Sequence, residues 1–244
     1  MADALLQSKF FEEIVEKQKQ WQELIVVSSP YLHIPTATFT MKDYFVNRLN
    51  QTLAEKHMKP TIEVKMNRTS TYPQDYWEMS AKERSKIIDN DMFHIDHDFI
   101  RWNVVLFLDD IIITWWHEKG VLKMLKHYNL IGNITPVFLY YAMLTNNETD
   151  PTIENYLNYW FVKDLVNIND IIQNEPFAIN TRTVKYILNS PKDEFETFLK
   201  YQNETFLQTL YSCALWNKYH EIPEYQKNME FLKNFLKNKF HKKY

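Results

Sequence analysis

Glycine is nearly missing from this chain: 2 glycines, Gly120 and Gly132, in 244 residues. Sites that wrap backbone tightly around a phosphate usually use glycine, which allows positive φ and close approach. Any such site here must be built from other residues. Cysteine is scarcer still, and Cys213 alone excludes both an intramolecular disulfide and a zinc site made of several thiolates. No stretch reaches the roughly 18 uncharged apolar residues of a membrane-spanning helix. Neither sign of charge dominates: 28 basic and 31 acidic side chains leave a formal charge of −3, with no general drive towards nucleic acid. Residues Met1 to Phe11 carry neither a basic head nor a long apolar run, so a cytoplasmic chain without a secretory signal is expected. A small-molecule ligand is the expected partner, rather than nucleic acid or membrane.

What is present is a core. Hydrophobic residues make up 45% and aromatics 16% of the chain, enough buried surface to offset ordering entropy. The length fits one large domain, or one domain with an appendage.

Residues 3–24 have helical periodicity through Leu5, Leu6, Phe10, Phe11, Ile14 and Val15. The β-branched run 24–27 reads as a buried strand ended by Ser28-Ser29-Pro30, with a loop through Ala37 and Thr38 and a helix from about Lys42 to Glu55. Alternation over 61–66 predicts a half-buried strand, followed by a polar loop over 67–77. Ser80-Ala81-Lys82-Glu83 has the form of a capping box opening a helix to about Asn90. Val104-Val105-Leu106-Phe107-Leu108 is a continuous apolar strand that expects cover on both faces and stops at Asp109-Asp110. A helix is expected over 117–127 and a buried strand over 136–144. Strands alternating with helices imply an α/β fold with a mostly parallel, helix-covered sheet over residues 1–149. Residues 150–244 read as an α-helical C-terminal extension, with helices near 152–173, 181–189, 193–218 and 224–240. The lysine-rich end, with Phe231, Phe235 and Phe240 interleaved, reads as an amphipathic helix with a solvated face.

The chemistry concentrates between Val104 and Thr114. Paired aspartates at the carboxyl end of a parallel strand stand where open α/β sheets bind ligands. Two carboxylates there suit a vicinal diol, and their charge would stabilise a developing ribosyl cation. The N-terminus of the following helix offers backbone N–H groups to a phosphate.

This segment resembles the PRPP-binding motif of type I phosphoribosyltransferases, in which an apolar strand leads to paired acids and a threonine-containing phosphate loop. Arg68, Gln74, the Ser80–Arg84 helix start and Phe93 are similar to the segment preceding that motif in ComF-like phosphoribosyltransferases. The Asp75-Tyr76 pair and the Thr114…His117-Glu118 segment suggest a ComF-like subfamily with a helical tail. The resemblance covers about residues 24–145. It implies that Asp109 and Asp110 hold the ribose hydroxyls. The backbone over 111–118, with Thr114, Trp115, Trp116, His117 and Glu118, would cradle the 5′-phosphate. Ser28 and Ser29 would lie where the family binds pyrophosphate with Mg²⁺, and Arg68 and Arg84 would neutralise that diphosphate. Where the family usually has glycine after the threonine, this chain has Trp115-Trp116. Those indoles either fill the phosphate pocket or fold outward. Two expectations stay open: a Mg²⁺-dependent phosphoribosyltransferase acting on PRPP and a base, or a non-catalytic module of the same fold that senses a ribose phosphate or serves through its helical tail.

Other chemistries fit less well. His94, Asp96, His97 and Asp98 make a candidate metal cluster or a polar turn. His117-Glu118 lacks the second histidine of a zinc-protease helix, since position 121 is Val121. Haloacid-dehalogenase-like phosphatases separate their two aspartates by one residue, unlike Asp109-Asp110. No Gly-x-Ser-x-Gly elbow exists for a serine hydrolase. Cys213 lies among Leu210, Tyr211, Ala214 and Leu215, as a buried structural thiol would.

Overall fold

A computed structural model of the chain describes residues 1–19, 22–68, 93–112, 115–144, 153 and 162–240. They divide into an α/β unit, residues 1–31, 36–68 and 93–144, and a helical unit, residues 32–35 and 162–240.

In the α/β unit the order is α1 (Ala2–Leu6), α2 (Lys9–Lys19), β1 (Leu24–Ser28), α3 (Ala37–Glu55), β2 (Ile62–Glu63), β3 (Asn67–Arg68), β4 (Phe93–His94), α4 (His97–Ile100), β5 (Val104–Ile112), α5 (Trp116–His127) and β6 (Thr135–Met143). Four strands form one parallel sheet in the order β2-β1-β5-β6, with Ile25 opposite Val105 and Phe107 opposite Phe138. The period-two alternation of strand side chains splits the apolar runs between two faces. Leu24, Val26, Val104, Leu106 and Leu108 pack with Phe11, Ile14, Phe45, Leu49 and Leu53 of α2 and α3. Ile25, Val27, Val105 and Phe107 pack on the other side with Val121, Met124 and Leu125 of α5 and with Phe93, Ile95 and Ile100. Each such aliphatic side chain contributes about 1.5–3 kcal/mol on full burial. That is why the two central strands could be read from sequence.

The chain leaves β1 through α3 to β2 on one side, and leaves β5 through α5 to β6 on the other. The reversal of direction between β1 and β5 opens a crevice at their carboxyl ends.

Several boundaries differ from the sequence reading. The helix expected over 3–24 is two helices, broken at Gln7 and Ser8, where the Ser8 hydroxyl both donates to Leu5 O and accepts from Phe11 N. α3 starts at Ala37, turning the expected loop at 37–38 and the lead into Lys42 into helix. The strand expected over 61–66 shrinks to Ile62–Glu63 beside β1, with one further bond from Val64 N to Val26 O at 3.1 Å. β6 is an edge strand, half-buried to exposed rather than buried. β5 does not stop at Asp109 but continues beside β6 to Ile112, so the acids lie inside the strand. Asp96 caps α4, its side chain accepting from Phe99 N at 3.1 Å. This places Asp96 in a turn rather than on a strand face shared with His94 and Asp98. The helix expected from Ser80 lies outside the described residues.

The helical unit comprises α6 (Leu165–Asn174), α7 (Thr181–Leu188), α8 (Lys192–Tyr201), α9 (Glu204–Trp216), a 3₁₀ turn (Tyr219–Glu221) and α10 (Pro223–Phe240). Asp164, Asn180 and Asn203 cap α6, α7 and α9 through their side chains. Each such cap stabilises by about 0.5–2 kcal/mol. The Asn203 cap also explains why residues 193–218, expected as one helix, are two. Val184, Leu199, Leu210 and Leu232 are fully buried in one core, which Ile34 enters from the segment 32–35. That segment is held by Asn217, whose Oδ1 accepts from His33 N at 3.2 Å and Ile34 N at 3.3 Å. Cys213 belongs to this core, and burial pushes its thiol above its ordinary pKa. Phe231, Phe235 and Phe240 of α10 pack against it, half-buried.

Candidate functional site

The crevice between β1 and β5 is lined by Ser28, Ser29 and Pro30 after β1, and by Met66. β5 adds Phe107, Leu108 and Asp109, α5 adds His117, Glu118 and Val121, and β6 adds Phe138 and Tyr140. It is a small, shallow crevice open to solvent.

Asp109 sits where β1 has ended, Ser28 being opposite Leu108, while β5 and β6 run on. Alternation along β5 puts it on the α5 side, with Val105 and Phe107, and turns Asp110 towards the opposite face. The expected side-by-side grip of both acids on one diol is therefore not the arrangement found. Asp109 lines the crevice and Asp110 does not.

Asp109 is buried, and both oxygens of its carboxylate are engaged. Oδ1 accepts from the Ser29 hydroxyl at 2.7 Å and from Asp110 N at 3.0 Å. Oδ2 lies 2.7 Å from Nδ1 of His117. Burial pushes the Asp109 carboxyl upward, but the His117 charge and these hydrogen bonds outweigh it and hold the group below its ordinary value. His117 moves the other way. The Asp109 charge raises it, burial and Arg68 oppose, and the hydrogen bond to Asp109 and the charge of Asp110 add to the rise, leaving it at about 9. The imidazole is a cation at neutral pH.

His117 stands in the first turn of α5, where the leading N–H groups have no partner within the helix. The residue before that helix is Trp115, at φ 60° and ψ 13° in the left-handed region. The chain thus makes with tryptophan the conformation for which glycine is usual. Among the described residues His57, Trp102, Asn129 and Lys218 do the same. The Trp115 indole is half exposed and stands edge-on to Tyr140, with ring centroids 6.4 Å apart. It is not part of the crevice lining. Tyr140 also donates its hydroxyl to Glu118, and burial with the nearby acids pushes the phenol far above its ordinary pKa.

Ser28, Ser29, Asp109, His117 and Glu118 thus line one crevice. Arg68, on β3, is close enough for its charge to act on His117. The expected eight-residue phosphate loop is shorter than foreseen, since Ile111 and Ile112 are strand and α5 has begun by Trp116. Thr114 and Arg84 lie outside the described residues. Sequence reasoning missed Tyr140. The parallel register that sets it opposite Asp109 was the available signal, because both strands are apolar runs of similar length.

A model of the family described as PRTase ComF-like matches residues 3–232. Two solved structures of a hypoxanthine phosphoribosyltransferase from Staphylococcus aureus are similar to the chain. The orthorhombic form is 13% identical, covering 56% of this chain and 71% of that one, with a TM-score of 0.30. The tetragonal form is 16% identical, covering 55% and 69%, with a TM-score of 0.31. No curated protein matches.

Proposed function

The chain belongs to the ComF-like family of phosphoribosyltransferases, and from that premise we propose that its crevice binds the ribose 5-phosphate portion of PRPP or of a nucleotide. The observation that carries this reading is the coincidence of three features at one topological switch point. A buried carboxylate, a half-exposed imidazolium and a left-handed turn opening a helix N-terminus share the carboxyl end of β5. Backbone N–H groups at the start of α5 and the His117 cation take the phosphate, and the Asp109 carboxylate faces the sugar. Transfer of the phosphoribosyl group to a base, with release of pyrophosphate, is the reaction this site would perform. Its chemistry rests on positioning and charge rather than on a nucleophile.

A second reading has its own support. Because Ser29, Asp110 N–H and His117 already occupy the Asp109 carboxylate, the site also suits a module that senses a ribose phosphate without transferring it.

Magnesium was expected from the resemblance, and the donor set does not fit an ion held by the protein here. Mg²⁺ needs oxygen ligands at about 2.0–2.1 Å, and of the two Asp109 oxygens one accepts two hydrogen bonds and the other is paired with a cationic ring.

Calorimetric titration with PRPP and with ribose 5-phosphate, followed by a pyrophosphate-release screen across purine and pyrimidine bases, tests both readings. Binding with release supports the transferase, and binding without release supports the module. Absence of binding by either ligand would remove the proposal.

A further inference from the structure

We propose that His117, held by Asp109, is the resident cation of this crevice, so that the site takes a ribose phosphomonoester without a divalent metal ion. This rests on the reading that the crevice binds a ribose 5-phosphate ligand, and it goes further by naming what neutralises that ligand.

The first support is the engagement of both Asp109 oxygens. One oxygen takes the Ser29 hydroxyl and Asp110 N–H, and the other takes the imidazole. A metal ion at this carboxylate would compete with the ring for Oδ2 and stand beside its positive charge. Among the described residues no group of three histidine, cysteine or acidic side chains is placed to hold a metal.

The second support is the orientation of the ring. Nδ1 faces Asp109, which leaves Nε2 on the far side of an imidazole that lines the crevice and whose side chain is 54% exposed. Nε2–H is a donor available to an incoming anion. A carboxylate that fixes one ring nitrogen also fixes the direction of the other.

The third support is the location. A cation in the first turn of a helix opposes the helix dipole, and is tolerated only with a compensating acid. Asp109 supplies that acid from the neighbouring strand. An anion in front of α5 then gains from both the dipole and the imidazolium. Glu118, the acidic side chain of the same turn, opposes a phosphate with its charge, and its carboxylate is held by the Tyr140 hydroxyl. The charge of Arg68 adds to the positive field, while that of Asp110 opposes it.

The test is calorimetry with ribose 5-phosphate and with PRPP, each in EDTA and in Mg²⁺, on the wild type and on His117→Gln. In parallel, the ¹⁵N resonances of the His117 ring are followed in the wild type as ribose 5-phosphate is added in EDTA. The expected result is ribose 5-phosphate binding of similar affinity in both buffers. His117→Gln should weaken it about tenfold or more, as loss of one charge-assisted hydrogen bond requires. A shift of the Nε2 resonance on ligand addition is expected and does not depend on the variant folding. Binding in Mg²⁺ alone, or binding in EDTA with an unmoved Nε2 resonance, overturns this inference and leaves the proposed function standing. No binding of either ligand in either buffer overturns both.

Discussion

Oδ2 of Asp109 lies 2.7 Å from Nδ1 of His117, eight residues further along the chain. The acid that the apolar strand delivers to the crevice is therefore met by a base from the following helix. That pairing ties together β5, α5 and, through Ser29, the end of β1. Stability and ligand recognition consequently share the same side chains.

Asp109 and Asp110 should behave differently when neutralised one at a time. Asp109→Asn removes a buried, charge-assisted set of hydrogen bonds, at about 1–3 kcal/mol. Asp110→Asn touches a half-buried group on the other face of β5, whose carboxylate accepts from Ile111 N, and should cost less stability than the buried Asp109. Urea unfolding of the two single variants makes the comparison. Equal losses would contradict the placement of the acids on opposite faces of β5.

The ion pair has a pH window with a definite sign. His117 is raised above its ordinary value, so its contribution is fully present below about pH 6.5 and fades as pH rises through about 9. Asp109 is lowered, so its contribution is present above its ordinary value of 3.8 and fades as pH falls through its lower folded value. Asp110 and Arg68 act on the same ring with opposite signs and shift the window without reversing it. The stability gap between wild type and His117→Gln should therefore narrow between pH 7 and about 10. A gap that stays constant over that range would show that the imidazole is not charged by Asp109.

At Trp115 backbone strain and side-chain contact oppose each other. A left-handed non-glycine residue costs about 1–2 kcal/mol, and the edge contact with Tyr140 returns about 0.5–1.5 kcal/mol. Trp115→Gly relieves the strain, loses the contact and adds unfolded-state entropy, so its stability should stay within about 1 kcal/mol of wild type. Trp115→Val loses the contact and keeps the strain in a β-branched residue, and should fall by about 1–3 kcal/mol. Thermal unfolding of both variants reads this directly, and a valine variant as stable as the glycine one would show that the turn is not left-handed.

The central strands were legible because Leu24–Val27 and Val104–Leu108 are apolar on both faces, a pattern that suits only a covered sheet. Ser28, Ser29, Asp109 and His117 could be singled out from their place near the ends of those strands, and they line one crevice, whereas Asp110, singled out with them, turns to the other face. What stayed hidden depended on tertiary register. Nothing local says that β5 continues to Ile112, since that extension exists only because β6 runs beside it. The division of the acids between two faces follows from that continuation. Likewise the break between α8 and α9 is set by the Asn203 cap, against a periodicity that runs straight through it.

Gly120 provides the remaining test, because it reports how α5 is seated. Glycine inside a helix costs about 0.8–1 kcal/mol relative to alanine, so its presence needs a reason. A Cβ at this position would lie 2.5 Å from Cε2 and 3.0 Å from Cζ of Phe93. Phe93 is buried in the core shared with Val121, Met124 and Leu125, so its ring has little freedom to retreat. Gly120→Ala should overpack this contact by about 1–3 kcal/mol, offsetting or exceeding the gain in helix propensity. The background decides the sign. With Phe93→Leu already present the ring is gone, and Gly120→Ala should then stabilise by close to its propensity value. A coupling of about 0.5–3 kcal/mol between the two positions is the expected result of the cycle. The same shift would reach the crevice, since α5 carries His117 three residues earlier. Gly120→Ala alone should weaken ribose 5-phosphate binding, and the double variant should recover part of it. Additive stabilities across the cycle would mean that α5 does not rest on Phe93, and the position argued for His117 would lose its support.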